Sequence, residues 1–133
     1  MTSIVLDTNC LLAVLPTKSH YHKLWTDFLE GKITLCVSTD ILLEYEEILT
    51  KKASPLLAES IIKTILNKPN IVRVVPSWHF NMIDADPDDN KFVDCAIVAN
   101  ADYLVSEDSH FNALAEIPFP RVNVLRLKEF ILL

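Results

Sequence analysis

At 133 residues with half of them apolar, the chain can enclose one hydrophobic core and is too short for two ordinary domains, so residues 1–133 read as a single domain. A domain of this size folds without a disulfide or structural metal, which leaves any bound metal free for function. The net charge of −6 excludes a protein that coats nucleic acid through many phosphate contacts, but not an enzyme whose carboxylates collect cations.

The first apolar run, Ile4–Leu6, is read as a strand and stops at Asp7, far short of the roughly 18 apolar residues of a membrane span and without the pattern of an export signal. The expected setting is therefore the cytoplasm, with no membrane contact. Cys10, Cys36 and Cys95 agree: odd in number, widely spaced and in apolar surroundings, they read as reduced core residues rather than a disulfide framework or zinc site. After a helix that Asp7 or Thr8 would cap, helical spacing returns over about Ser19 to Gly31, where the sole glycine marks the stop.

A second strand, Ile33–Val37, precedes helices over Thr39 to Lys52 and Pro55 to Lys68. Ser54-Pro55 supplies an N-cap and first helical residue, and Pro69-Asn70 a stop. Strands follow at Ile71–Val75, Tyr103–Val105 and Val122–Leu125, with helices over Asp89 to Ala101 and briefly near His110 to Ala115. The strands are near-continuous apolar runs rather than alternating ones, as in a parallel sheet covered on both faces. Their alternation with helices predicts an α/β fold: a three-layer α/β/α sandwich around a central, mainly parallel sheet of about five strands. One glycine cannot build a Gly-rich phosphate loop, which removes the dinucleotide-binding and P-loop readings. The uncharged ending Phe130-Ile131-Leu132-Leu133 either folds back onto the sheet or serves a homodimer or protein partner.

The chemistry rests on acids. Asp7 directly follows the first strand, at the sheet edge where ligands bind in open parallel sheets; alternatively it only caps the next helix. Glu44 lies roughly 40° from Ile48, at the edge of the arc Ile41, Leu42, Tyr45, Ile48 and Leu49, whereas Glu46 and Glu47 point outward. Asp94 sits in a helix apolar nearly all round, where a charge requires compensation by Lys91 or by a metal. Asp108 follows the fourth strand at the same edge as Asp7. Asp84, Asp86, Asp88 and Asp89 crowd the approach to the Asp94 helix; most suit its positive end, and Asp89 is kept as a further ligand. Carboxylates gathered at one edge raise each other's proton affinity unless a cation neutralises them, and oxygen donors without clustered His or Cys suit Mg²⁺ or Mn²⁺.

In Ile4-Val5-Leu6-Asp7-Thr8-Asn9, Ser38 through Glu44, Asp86 through Ala96, and Ala101 through Asp108, in that order, the sequence resembles the PIN-domain family, specifically the small bacterial and archaeal PIN proteins assigned as toxins of toxin–antitoxin modules. The resemblance implies an α/β/α fold, an active site of Asp7, Glu44, Asp94 and Asp108 binding Mg²⁺ or Mn²⁺, RNA as substrate and a protein antitoxin as partner. It assigns Asn9 and Ser106 to orienting the first Asp. The sequence departs from the family pattern at Ala99-Asn100-Ala101 and at Glu107, where glycines or a basic residue are frequent.

The expected reaction is phosphodiester hydrolysis by water activated on the ion. Asp7 and Asp94 would be direct ligands, with Glu44 and Asp108 holding waters or a second ion, and Lys23 and Lys91 gripping flanking phosphates. A haloacid-dehalogenase-type phosphatase would require Asp in place of Asn9, and a receiver domain an Asp within Val75-Pro76-Ser77, though Lys128 would suit it. A PIN-like scaffold that binds RNA or protein without cutting is the remaining alternative.

Overall fold

In the computed structural model, which describes residues 1–77, 79–83 and 87–133, five parallel strands form one sheet in the order β3-β2-β1-β4-β5. They are β1 (Thr2–Leu6), β2 (Ile33–Val37), β3 (Ile71–Arg73), β4 (Tyr103–Val105) and β5 (Val124–Leu125). The helices are α1 (Thr8–Val14), α2 (His22–Leu29), α3 (Thr39–Lys52), α4 (Pro55–Asn67), α5 (Asn90–Ala99) and α6 (Leu127–Ile131), with 3₁₀ turns at Pro87–Asp89 and Ser109–Glu116. The fold class agrees with the sequence expectation. β3 and β5 are shorter than expected because both are edge strands, paired on one side only.

Local chemistry explains the boundaries. Gly31, at φ +79°, takes the left-handed conformation after α2, and the amides of Gly31 and Lys32 donate to Phe28 and Asp27 carbonyls in a Schellman arrangement. Asn100 repeats it after α5 at φ 52°, its own and the Ala101 amide donating to Ile97 and Ala96. Asn tolerates this conformation better than other side chains bearing Cβ, so the glycines frequent at this place are replaced without loss of the turn. Ser38 and Ser54 cap α3 and α4 through hydroxyls that accept from Ile41 and Leu57 amides.

The core fills both faces of the sheet. Ile4, Val5, Leu6, Leu35, Cys36, Val37, Leu104 and Val105 are buried to within 2%. Phe92, Val93, Cys95 and Ala96 bury α5 against β1, β2 and β4. All three cysteines are buried and unpaired. At the C-terminus Leu127 is buried and the Phe130 ring meets Tyr103 edge-on at 6.2 Å, while Leu132 and Leu133 are exposed. The tail thus folds back in its first half only. No helix of the described residues is long and apolar enough to cross a membrane.

Tyr45 fixes the register of α3 against the sheet: fully buried, it donates its hydroxyl to the Leu6 carbonyl, where β1 ends. Burial, with nearby Cys95 and Asp7, pushes its phenol well up, so it stays a neutral donor. Tyr45→Phe leaves that buried carbonyl without this partner and should cost about 1–3 kcal/mol. Urea denaturation is expected to show a lower midpoint at unchanged slope.

Candidate metal-binding active site

β1 and β4 are neighbours at the centre of the sheet, and the chain leaves them toward opposite edges: β2 and β3 lie on one side, β5 on the other. The carboxyl ends of such a pair form the crevice in which open α/β sheets bind ligands. Asp7 stands at the end of β1 and Ser106 through Asp108 at the end of β4, joined by the Asp7 amide to the Val105 carbonyl at 3.0 Å.

Asp7 is 6% exposed and occupies the N-cap position of α1, yet its side chain forms no cap. The Ser106 hydroxyl instead donates to Asp7 Oδ2 at 2.7 Å and accepts from the Asp108 amide at 3.0 Å. Burial raises the Asp7 carboxyl above its ordinary value; the bonds from Ser106 and the Thr8 backbone oppose this, and the charges of Glu44 and Asp108 add to it. Asp7, Glu44 and Asp108 therefore share one electrostatic environment. Asn9 is exposed, and among the described residues no hydrogen bond links it to Asp7.

Glu44 enters from α3, half-buried as its helical position predicts. Oε2 accepts from the Thr8 hydroxyl on α1, and Oε1 lies 2.8 Å from Lys91 Nζ on α5. Asp108 accepts from the His110 amide at 2.9 Å, capping the 3₁₀ turn. His110 Nδ1 lies 3.2 Å from Asp89 Oδ2 and 3.3 Å from Asp108 Oδ1. One ligand atom each from Asp89, Asp108 and His110 falls within 4.8 Å of the others, a spacing that could hold a metal ion. Asp89, 9% exposed, is at the N-cap position of α5 without making a side-chain cap, and its carboxylate is turned toward this group.

Asp94 lies further along α5 and shares a cleft with Glu44 and Lys91. α5 feeds the parallel strand β4, so its N-terminus is at the carboxyl edge of the sheet and Asp94 lies about 7.5 Å further along the axis, rotated about 140° from Asp89. Its oxygens accept from the Phe80 amide at 3.1 Å and lie 3.4 Å from His79 Nδ1. Asn90, one turn earlier on the same face, exchanges two bonds with the Ile83 backbone. Both side chains hold the segment that follows β3, and the ion pair of Lys91 is with Glu44 rather than with Asp94. Asp94 and Glu44 line one cleft of about 510 Å³ with Lys91, His79 and Ser38.

Of the two cations expected to grip phosphates, Lys91 is at the site and Lys23 is not. Lys23, paired with Asp27 at 2.6 Å, lines a small cavity with Thr2 and Ile33, at the amino end of the strands and opposite Asp7. Lys91 is at the site but pairs with Glu44 and donates to the Asp88 carbonyl at 2.7 Å. Asp84 and Asp86 lie outside the described residues. Asp89, kept from the sequence as a further ligand, stands here with His110, which the sequence did not single out, and Thr8, read there only as a possible cap, bonds Glu44; the signals available were adjacency to Asp7 and the two-residue spacing from Asp108.

A PIN domain model matches residues 3–110. Among solved structures, the chain is similar to VapBC2 from Rickettsia felis bound to a DNA fragment from their promoter, with TM-score 0.64, 17% identity and coverage of 94% of this chain and 98% of that one. It is also similar to DNA-bound VapBC from Salmonella typhimurium, with TM-score 0.61, 15% identity and coverage of 96% and 99%. No curated protein matches the sequence. At these identities the structures speak for the fold, while the family model, spanning most of the chain and taking in Asp7, Glu44, Asp89, Ser106 and Asp108, speaks for descent: the protein belongs to the PIN-domain family.

Proposed function

We propose that this chain is a metal-dependent endoribonuclease that acts in the cytoplasm as the toxin half of a toxin–antitoxin pair, with a protein antitoxin as its partner. The observation that carries the reading is the gathering of Asp7, Glu44, Asp89 and Asp108, from four different elements, at the carboxyl edge of one sheet, where Asp7 is buried beside like charges. Such an arrangement is stable at neutral pH with a cation among the carboxylates. The likeness to VapBC complexes supports the pairing with an antitoxin.

The oxygen-rich donor set fits Mg²⁺ or Mn²⁺. Asp89, Asp108 and His110, whose ligand atoms lie within 4.8 Å of one another, would hold the ion with Asp7 beside them, Ser106 would keep Asp7 Oδ2 in place, and Glu44 would orient water. A bound divalent ion supplies Lewis acidity and a nucleophile at neutral pH. Asp94, expected from sequence as a direct ligand, is assigned to holding the His79–Phe80 segment beside the cleft that it shares with Glu44.

Millimolar Mn²⁺ should raise the melting temperature and support cleavage of single-stranded RNA. Asp7→Asn and Asp89→Asn should each lower activity by about 100-fold or more, since even partners outside the ligand set typically contribute 10–100-fold. Asp94→Asn should leave Mn²⁺ affinity and metal dependence in place. A gel assay with calorimetry decides between these outcomes, and RNA binding without cleavage at any metal concentration would favour the scaffold reading.

The raised Asp7 carboxyl gives a second, metal-free test. Its folded-state pKa lies above the unfolded value, so its contribution to stability is complete below the unfolded value of 3.8 and is lost as pH rises through the folded one. At neutral pH the ionised side chain is a liability. Asp7→Asn should therefore raise the melting temperature of the metal-free protein at pH 7, remove the gain produced by Mn²⁺, and flatten the decline of stability with pH above 4.

A further inference from the structure

Lys91 differs from the other lysines that form ion pairs. Lys23, Lys32 and Lys51 are 65–68% exposed in their side chains, whereas Lys91 is 18% exposed and its Glu44 partner 27%. Its ammonium is held between oxygens of two elements, 2.8 Å from Glu44 Oε1 and 2.7 Å from the Asp88 carbonyl, and lies 5.2 Å from the centre of the Phe92 ring. Carboxylate and carbonyl oxygens with an aromatic face are a complete environment for a cation. The remaining Glu44 oxygen is taken by the Thr8 hydroxyl, so both oxygens have partners from the chain itself.

We propose that the Lys91 ammonium is a tethered second cation of this centre, standing between Glu44 and Asp88 where a second divalent ion would otherwise bind, and that the centre accordingly takes a single divalent ion on its Asp89, Asp108 and His110 side. This rests on the metal-dependent reading above. A tethered charge needs no binding from solution, and its short bond to Glu44 competes with any ion from the solvent for that carboxylate. Lys91 thereby acts as a positioning residue: it holds Glu44 at the rim of the cleft and sets the metal count.

The test is Mn²⁺ titration of the full chain by calorimetry and by electron paramagnetic resonance, comparing the wild type with Lys91→Met, which keeps the apolar stem over Phe92. The wild type should bind one Mn²⁺ per chain, and Lys91→Met two, the second appearing as an exchange-coupled signal. Two ions in the wild type, or one ion in both proteins, overturns the proposal. No ion in the wild type would overturn the metal-dependent reading and this inference with it, whereas one ion in both proteins sinks this inference alone. Should Lys91→Met fail to fold by circular dichroism, Lys91→Gln takes its place under the same criteria, and the wild-type stoichiometry decides by itself against the proposal if it is two.

Discussion

The hydrogen bond from Ser106 to Asp7 is the interaction on which the site depends. It spans two central strands whose onward connections run to opposite edges of the sheet, and it fixes a carboxylate that is nearly shut off from water. A buried carboxylate without a donor would protonate or turn outward. With Ser106 donating to one oxygen while receiving the Asp108 amide, a single hydroxyl sets the spacing of two acids. Parallel pairing of β1 with β4 brings the two ends level, Leu6 opposite Val105, so their following residues emerge side by side.

The rest of the centre is arranged around that pair by helices whose placement follows from packing. Tyr45 ties α3 to the end of β1 and so brings Glu44, its neighbour in sequence, to the same edge. α5 is buried because it is apolar on nearly every side, and its entry at the carboxyl edge delivers Asp89 there. Four carboxylates in one place repel, and the chain moderates this with Lys91 on Glu44, while the His110 ring stands between Asp89 and Asp108. The cation at the site, Lys91, comes from one of the chain's own helices rather than from the basic surface of a nucleic-acid-coating protein. This is compatible with a net charge of −6.

Asp94 and Asp89 show how one helix separates two acids that look interchangeable in sequence. A buried carboxylate needs donors, and Asp94 has the Phe80 amide and the His79 ring beside it. Compensation by a loop and compensation by a metal leave the same trace in a sequence, an acid within an apolar helix. What divides them is the turn of the helix and the direction in which it meets the sheet, five residues being enough to carry a side chain to another face and another depth.

The sequence by itself determined the fold class, the alternation of elements, most caps and the edge of the sheet where chemistry gathers, because apolar runs, helical spacing and the residues at Gly31, Ser38 and Ser54 act locally. It also placed Asp7, Glu44 and Asp108, each readable from its position relative to a single strand or helix. Tertiary structure alone decided which acid of the Asp89-to-Asp94 stretch faces Asp108, that Lys23 lies at the opposite end of the sheet, and that Lys91 pairs with Glu44 rather than with Asp94. Those outcomes depend on how separate elements meet, on helix rotation, on the loop after β3 and on a bond between α3 and α5, and no periodicity within one segment encodes a contact made with another.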